Sequence, residues 1–251
     1  MEAVFTYTKG MLPVETSYCP GCTHGISHRI IAEVLEEAGK LGDTMGVCPI
    51  GCSVQAHKFM NIDMCESPHG RAPAVASGIR RVHPNKLVFT YQGDGDLASI
   101  GCAEIIHAAV RGETFTTFFI NNGIYGMTGG QMAPTTLEGQ RSTTSPFGRD
   151  VKLAGNPMFL SEMMATIEGA VYVERVSLHD PPSILKAKKA VAKAFEIQEK
   201  GLGFTFVEMI SNCPTNWGLS PVDSIAWMKE KMLPFYPLGV FKSPDSERKD
   251  S

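Results

Sequence analysis

Two sets of side chains in this sequence have types and spacings that could do chemistry. The first is Asp94, inside Gly93-Asp94-Gly95, together with Asn122, inside Asn121-Asn122; residues 96–120 separate the two motifs. Carboxylate and carboxamide oxygens are hard donors suited to Mg²⁺ or Ca²⁺, and Mg²⁺ usually takes few protein oxygens plus diphosphate oxygens. Gly-Asp-Gly alone is also an ordinary turn, so the weight lies on the spacing. The second set is sulfur. Of seven cysteines, Cys19 and Cys22 form a Cys-x-x-Cys pair, which can be a redox dithiol, half of a zinc site or two ligands of an iron–sulfur cluster. A thioredoxin-type dithiol wants a strand immediately before it, and the Pro-containing segment ahead of Tyr18 is a poor one.

Both sets depend on where the chain turns. The apolar run Leu87–Tyr91 reads as a buried strand, and the glycines of Gly93-Asp94-Gly95 are expected to supply backbone conformations that other residues resist. A helix follows, with Ile100, Ala103, Ile106, His107 and Val110 on or near one face, ending at Arg111-Gly112. The next strand, Phe115–Ile120, stops at Asn121-Asn122. In such a βαβ unit the strands are parallel, so Asp94 and Asn122 come to the same edge of the sheet, where α/β proteins bind ligands. Cys52 and Cys213 sit at or just past two further predicted strands, about 43–47 and 204–210, and converge on that edge. Four thiolates gathered there could hold a tetrahedral zinc or a 4Fe-4S cluster, and spacing does not choose between them. Cys48, Cys65 and Cys102 read as small packing residues, with Cys48 the rival for the role of Cys52.

A hydrophobic fraction of 43% and a charged fraction of 20% are those of a globular protein with an ample core. A net charge of −3 without a Lys/Arg cluster offers no electrostatic footprint for nucleic acid. No apolar run approaches the ~20 residues of a membrane helix, and the N-terminus lacks the pattern of a signal peptide. The expected location is cytoplasmic, where cysteines serve metals or redox chemistry rather than disulfides.

The remaining chain alternates helices and strands. Residues 1–17 read as an irregular arm and 242–251 as a frayed polar tail. Helices are expected at His24–Gly39, Gly70–Val82, Pro157–Gly169, Ser183–Lys200 and Ile225–Met232, and a strand at Val171–Leu178. The stretch 55–70 reads as loop. Residues 123–150 are rich in Gly, Thr, Ser and Pro and form a long loop, a length usually functional or mobile in compact domains. One domain over 1–251, built on a doubly wound, mostly parallel α/β sheet, is the expected architecture.

The combination of YCPGC, PIGCS, ESPHGRA, GDGD, INNGIYGMTGGQ and NCPT, spread over residues 18–217, resembles the thiamine diphosphate-binding β subunit of 2-oxoacid:ferredoxin oxidoreductases. The resemblance implies the thiamine diphosphate-binding fold, with Mg²⁺ held by Asp94, the side chain of Asn122 and the main-chain carbonyl of Ile124. It implies a 4Fe-4S cluster on Cys19, Cys22, Cys52 and Cys213. Around the cofactor it places Cys52, Ser53 and His69, then Gly93, Asp94, Gly95 and Asp96, then Asn122, Ile124, Gly126 and Met127. His69 and Arg71 of HGRA are its candidate catalytic residues.

The implied reaction converts a 2-oxoacid and coenzyme A to acyl-CoA and CO₂, with thiamine as electron sink and electrons leaving through the cluster to ferredoxin. The Glu that thiamine enzymes use against the aminopyrimidine matches no position here and is expected from a partner α subunit. The chain is also too short for both domains that enclose the cofactor, so it should be inactive alone and work in a hetero-oligomer. Gamma and ferredoxin-like delta subunits are further candidate partners. Ser53-Val54-Gln55 after the third cluster cysteine carries no cation for a second substrate carboxylate. The lean is therefore to an apolar side chain, such as 3-methyl-2-oxobutanoate, with 2-oxoglutarate next and Lys58 or Arg71 able to overturn it. The alternatives are a non-redox thiamine-dependent decarboxylase or synthase subunit with structural zinc, and a non-catalytic zinc-binding module.

Overall fold

The computed structural model describes residues 6–244. Seven strands form one sheet: β1 (Thr44–Cys48), β2 (Asp63–Glu66), β3 (Leu87–Gly93), β4 (Thr116–Asn121), β5 (Ala170–Ser177), β6 (Phe204–Ile210) and β7 (Gly239–Lys242). Their order across the sheet is β2-β1-β3-β4-β6-β5-β7. Every pairing is parallel except that of β5 with β7. The inner strands β4 and β6 are buried at every position, as near-continuous apolar runs covered on both faces must be.

Among the described residues ten α-helices connect and cover the strands: α1 (His24–Glu37), α2 (Ala56–Phe59), α3 (Ala72–Val82), α4 (Cys102–Val110), α5 (Val151–Ala154), α6 (Leu160–Ala165), α7 (Pro181–Glu199), α8 (Pro214–Trp217), α9 (Pro221–Trp227) and α10 (Leu233–Phe235). Alternate residues along the strands feed two cores. Phe89 and Phe118 meet Ile31 and Leu35 of α1 and Phe195 of α7 on one face. Val88, Phe119 and Phe206 meet Ala76 of α3, Ile105 of α4 and Leu160 of α6 on the other. The result is three layers, with the sheet's carboxyl edge left open between them. Helix α7 shows how closely the local signals were obeyed. Asp180 accepts the Ser183 N–H at 2.9 Å as N-cap, Pro181 opens the first turn, and Gly201 takes φ +65° beyond the last. Among the described residues no helix is long and apolar enough to cross a membrane.

Several sequence expectations need correction. The stretch 55–70 is not loop: it carries α2 and the edge strand β2, whose residues are exposed or half-buried and so leave no apolar run to read. The polar tail 242–251 begins a residue too early, because Lys242 pairs in β7, a short edge strand with no apolar alternation; residues 245–251 lie outside the described chain. Residues 1–5 of the arm lie outside it too, and the rest is tied down through Met11, which is buried and bridges to Met60. Helix α4 buries Ile105, Ala108 and Ala109, not the stripe through Ile100 and Val110, which are 47% and 60% exposed. A wide π turn over Asp96–Ile100 shifts the phase before α4 begins. Nor do Gly93 and Gly95 take positive φ. Gly95 is helical at φ −64°, and a Cβ there would lie 2.4 Å from the Tyr125 ring. Close approach, not backbone freedom, requires that glycine.

One charged cluster under the sheet's carboxyl edge supports the site directly. Arg175 is fully buried; its Nε donates to Glu208 at 2.8 Å and its Nη2 to Glu162 at 2.5 Å. Glu208 is itself fully buried and accepts from the Asn121 side chain at 2.7 Å. Replacing Arg175 with Met leaves Glu208 as an uncompensated buried charge. That substitution should cost about 3–5 kcal/mol in chemical denaturation, whereas Arg81→Ala, at an exposed end of an ion pair with Glu113, should cost at most about 1 kcal/mol.

Candidate functional site

From β1 the chain crosses to β2 on one side, while β3 lies on the other. The crevice outside the carboxyl ends of β1 and β3 is therefore a topological switch point, the usual ligand position in a doubly wound sheet. Ile50–Ser53 after β1, His69, Gly93–Asp96 at the end of β3, and Asn122 with Ile124–Thr128 after β4 surround a cavity of about 140 Å³ there. None of the residues around it is Lys or Arg. A Cβ on Gly93 would meet nothing within 4 Å, so the missing side chain leaves room in the cavity itself.

Asp94 stands at the centre, 2% exposed. Its Oδ1 accepts the Gly95 N–H at 2.8 Å, and its Oδ2 accepts the Ile124 N–H at 3.2 Å and the Thr135 hydroxyl at 2.6 Å. Burial pushes its carboxyl up to about 6 against those hydrogen bonds. A buried carboxylate without a cationic side chain beside it is a position that a metal ion stabilises. The Asn122 Oδ1 also accepts from the Ile124 N–H, at 3.2 Å. Asp94, Asn122 and the start of the following loop thus form one hydrogen-bonded unit, and these oxygens could hold Mg²⁺. No local signal identifies Thr135, which reaches Asp94 across 41 residues.

Asp96 is buried and bonded on every side. It accepts from Gly70 N–H at 2.6 Å, from Gln92 Nε2 at 2.6 Å and from His69 Nδ1 at 2.5 Å. Because a carboxylate only accepts, His69 is assigned its proton on Nδ1, leaving Nε2 free. Arg71, expected beside His69, does not line the cavity; it pairs with Glu104 at the foot of α4. The residue after Gly70 is the N-cap of α3, and that turn carries Arg71 away from the pocket.

The loop 123–150 is highly organised. Arg149, 5% exposed, donates to the carbonyls of Ala133, Pro134, Thr136, Ala154, Gly155 and Asn156 at 2.8–3.3 Å. These bonds fold the loop back on itself and set Thr135 against Asp94. Its role is support of the carboxylate as well as cover.

The four thiols singled out in the sequence come together. Cys19, Cys22, Cys52 and Cys213 line a second cavity of about 210 Å³, with Tyr18, Gln55 and Asn216. All seven cysteines are free. Cys48, the rival of Cys52, is fully buried in the core and does not line that cavity. Burial and the neighbouring cysteines push the thiols of Cys22 and Cys52 up to about 12 and 11, a cost that iron or another cation removes by taking the thiolate. Among the described residues no three His, Cys, Asp or Glu side chains are placed to hold a single metal ion. Four thiols around one cavity are the candidate set for a metal or cluster site.

The two cavities have a common wall. His24, Cys52, Asn122, Gly126 and Met127 line both. A Cβ on Gly126 would lie 3.2 Å from the Cys52 sulfur, a tight contact that would make the sulfur give by a few tenths of an ångström. His24 was not singled out in the sequence. It is buried, burial holds its imidazole down at about 4, and its Nδ1 lies 2.6 Å from the Tyr91 hydroxyl. Ser27 donates to the His24 carbonyl at 2.8 Å and lies 2.6 Å from the same hydroxyl. The only ordering that makes all three bonds has His24 Nδ1–H donating to Tyr91 and Tyr91 donating to Ser27. A neutral imidazole is thus locked in the wall between the cavities.

Comparison with known proteins agrees with this geometry. Residues 49–209 match the family model described as "Thiamine pyrophosphate enzyme, C-terminal TPP binding domain". The chain is 46% identical over 247 residues to the ketoisovalerate oxidoreductase subunit VorA of Methanothermobacter marburgensis, covering 98% of this chain and 52% of that protein. It thus spans about half the length of that curated relative. It is 38% identical over 222 residues to the 2-oxoglutarate synthase subunit KorB of Methanocaldococcus jannaschii, covering 86% of this chain and 78% of the relative. A solved 2-oxoglutarate:ferredoxin oxidoreductase from Magnetococcus marinus, with 2-oxoglutarate, coenzyme A and succinyl-CoA bound, superposes with a TM-score of 0.77 at 27% identity, over 93% of this chain and 83% of that one. A thiamine-binding domain over most of the fold, aligned along its length with such subunits, makes this chain a member of the 2-oxoacid:ferredoxin oxidoreductase family, of the subunits that bind thiamine diphosphate.

Proposed function

We propose that this chain is the β subunit of a 2-oxoacid:ferredoxin oxidoreductase, acting in the oxidative decarboxylation of a 2-oxoacid to acyl-CoA and CO₂. The observation that carries the reading is the wall common to the two cavities, in which Cys52, Asn122 and Gly126 face both. An electron acceptor held by the four thiols would lie one layer of residues away from a group held by Asp94 and Asn122. Thiamine diphosphate supplies the electron sink that lets a 2-oxoacid lose CO₂. A 4Fe-4S cluster supplies a one-electron acceptor whose partner is ferredoxin.

The chain's own residues have distinct tasks in this reading. Asp94, the Asn122 side chain and the Ile124 carbonyl would hold Mg²⁺, which would supply positive charge for a diphosphate, with the Thr135 hydroxyl and the Gly95 N–H keeping the carboxylate aimed. Asp96 fixes the His69 ring, whose free Nε2 is the catalytic candidate of the cavity mouth. Ile50 and Met127, each 45% exposed in this chain and both lining the cavity, exclude water when the site is covered. The cover comes from an α subunit. A cavity of about 140 Å³ falls short of the ~300 Å³ or more that enclose ligands of this size, and exposed Ile100 in the π turn with exposed Val110 on α4 is apolar surface for a partner. A cytoplasmic hetero-oligomer, with gamma and ferredoxin-like delta subunits as further members, completes the proposal.

For the substrate, the absence of Lys and Arg around the cavity favours an apolar side chain, since a second carboxylate buried unpaired is costly. The 46% identity to a subunit named for ketoisovalerate supports 3-methyl-2-oxobutanoate, with 2-oxoglutarate, named for the 38% relative, next.

Two variants test the two-site reading. Asp94→Ala should abolish Mg²⁺-dependent thiamine diphosphate binding in calorimetry while the visible absorbance of the cluster persists. Cys213→Ala should lose iron and colour while diphosphate binding stays measurable. Loss of both properties in both variants would replace two sites by one folding defect. For the substrate, the assembled enzyme should show a kcat/KM at least about tenfold higher for 3-methyl-2-oxobutanoate than for 2-oxoglutarate, about 1.4 kcal/mol of discrimination; the reverse order would overturn the assignment.

A further inference from the structure

Asn216 has no part in the reading above, yet its surroundings are shaped around it. It lies in α8, the single turn that begins after Cys213. Its Nδ2 is 2.8 Å from the Gly126 carbonyl oxygen and 3.3 Å from the Cys213 sulfur. A carbonyl only accepts, so the atom facing Gly126 is the amide nitrogen, and its second proton is available to the sulfur. Glycines make the seat. A Cβ on Gly130 would come within 3.1 Å of the Asn216 Oδ1 and 3.2 Å of its Cβ, and Gly130 takes φ +84°. A Cβ on Gly126 would lie tight against the Cys52 sulfur at 3.2 Å and in ordinary contact with the Cys213 sulfur at 3.7 Å.

The next residue completes a clamp. Trp217 Nε1 donates to the Asn122 carbonyl at 3.1 Å. Two adjacent side chains of one helical turn therefore grip both ends of the segment from Asn122 to Gly126, the segment whose Ile124 N–H donates to Asp94. Among the described residues, Cys213 is the one thiol of the four given a side-chain hydrogen bond.

We propose that Asn216 is a positioning residue that sets the reduction potential of the cluster through an N–H···S bond to Cys213, while its other amide proton ties that thiolate to the wall of the cofactor cavity. The inference rests on the reading of the four thiols as cluster ligands. Hydrogen bonds to cluster sulfurs are one of the means by which proteins set potentials. An N–H dipole stabilises negative charge on sulfur, and the reduced cluster carries one electron more. The bond therefore favours reduction, and removing it lowers the potential.

The test is an EPR-monitored redox titration of the anaerobically purified chain and of Asn216→Leu, which keeps the volume and removes the amide. The expected result is a reduction equilibrium about tenfold less favourable in the variant, some 59 mV for a one-electron couple. An intact cluster signal with a potential within twofold of the parent equilibrium overturns the inference. If the variant fails to retain the cluster, the unmutated protein labelled with ¹⁵N at the asparagine side-chain amide decides: pulsed EPR of its reduced cluster should show a ¹⁵N coupling that disappears in an unlabelled control, and its absence overturns the assignment. Failure of the unmutated protein to give any reduced-cluster signal would instead overturn the cluster reading, and the inference with it.

Discussion

The site depends on keeping one carboxylate buried. Asp94 ends β3 at the bottom of a crevice, and a carboxylate there forfeits most of its hydration. What it receives in exchange comes from three directions: the Gly95 N–H just beyond it, the Ile124 N–H at the start of the loop after β4, and the Thr135 hydroxyl from deep in that loop. Each bond fixes a piece of backbone that would otherwise be free to move. The carboxylate thereby joins two strand ends and a long connection into one unit. A metal ion held there would meet oxygens that these bonds aim, so little of its binding energy would be spent on ordering them.

The same economy governs the connection itself. A loop of this length with so many Gly, Thr and Ser residues has a large conformational entropy to lose. Arg149 opposes it by taking six carbonyl acceptors with one guanidinium, something the compact ammonium of lysine could not span. Beneath the sheet edge, Arg175 and Glu208 hold Asn121 in the same manner. Beside it, α8 ties the loop to Cys213. The oxygens of Asp94 and Asn122 and the Cys213 sulfur are thus joined through hydrogen bonds to the segment between Asn122 and Gly126, which forms the single layer of residues between the two cavities.

Much of this was legible in the chain, for identifiable reasons. The strands β3 and β4 are buried on both faces, so their apolar runs are continuous and their ends sharp. Asp94 and Asn122 mark those ends, and parallel pairing alone brings them together. Cys52 and Cys213 could be gathered by the same logic. What the chain did not disclose is whatever depends on long-range contact or on phase. Thr135 and Arg149 act through partners far away in sequence or through backbone carbonyls, which leave no trace in residue type. The buried face of α4 follows from the π turn before it, and a stripe such as Ile100, Ala103, Ile106 and Val110 is as periodic as the face that packs. Gly95 was legible as a necessary glycine, but the reason was the Tyr125 ring and not a positive φ. Edge strands such as β2 and β7, half in water, carry no apolar alternation to find.

The central claim is that two different inorganic sites share one wall, and the sulfur site is its more demanding half. The most direct measurement is the iron, zinc and acid-labile sulfide content of the anaerobically purified chain, with its visible spectrum. The account predicts about four iron and about four sulfide per chain and the brown absorbance of a cluster held by four thiolates. Stoichiometric zinc without sulfide, in a colourless protein, would contradict it and leave Cys19, Cys22, Cys52 and Cys213 as structural ligands beside a thiamine site with no electron acceptor.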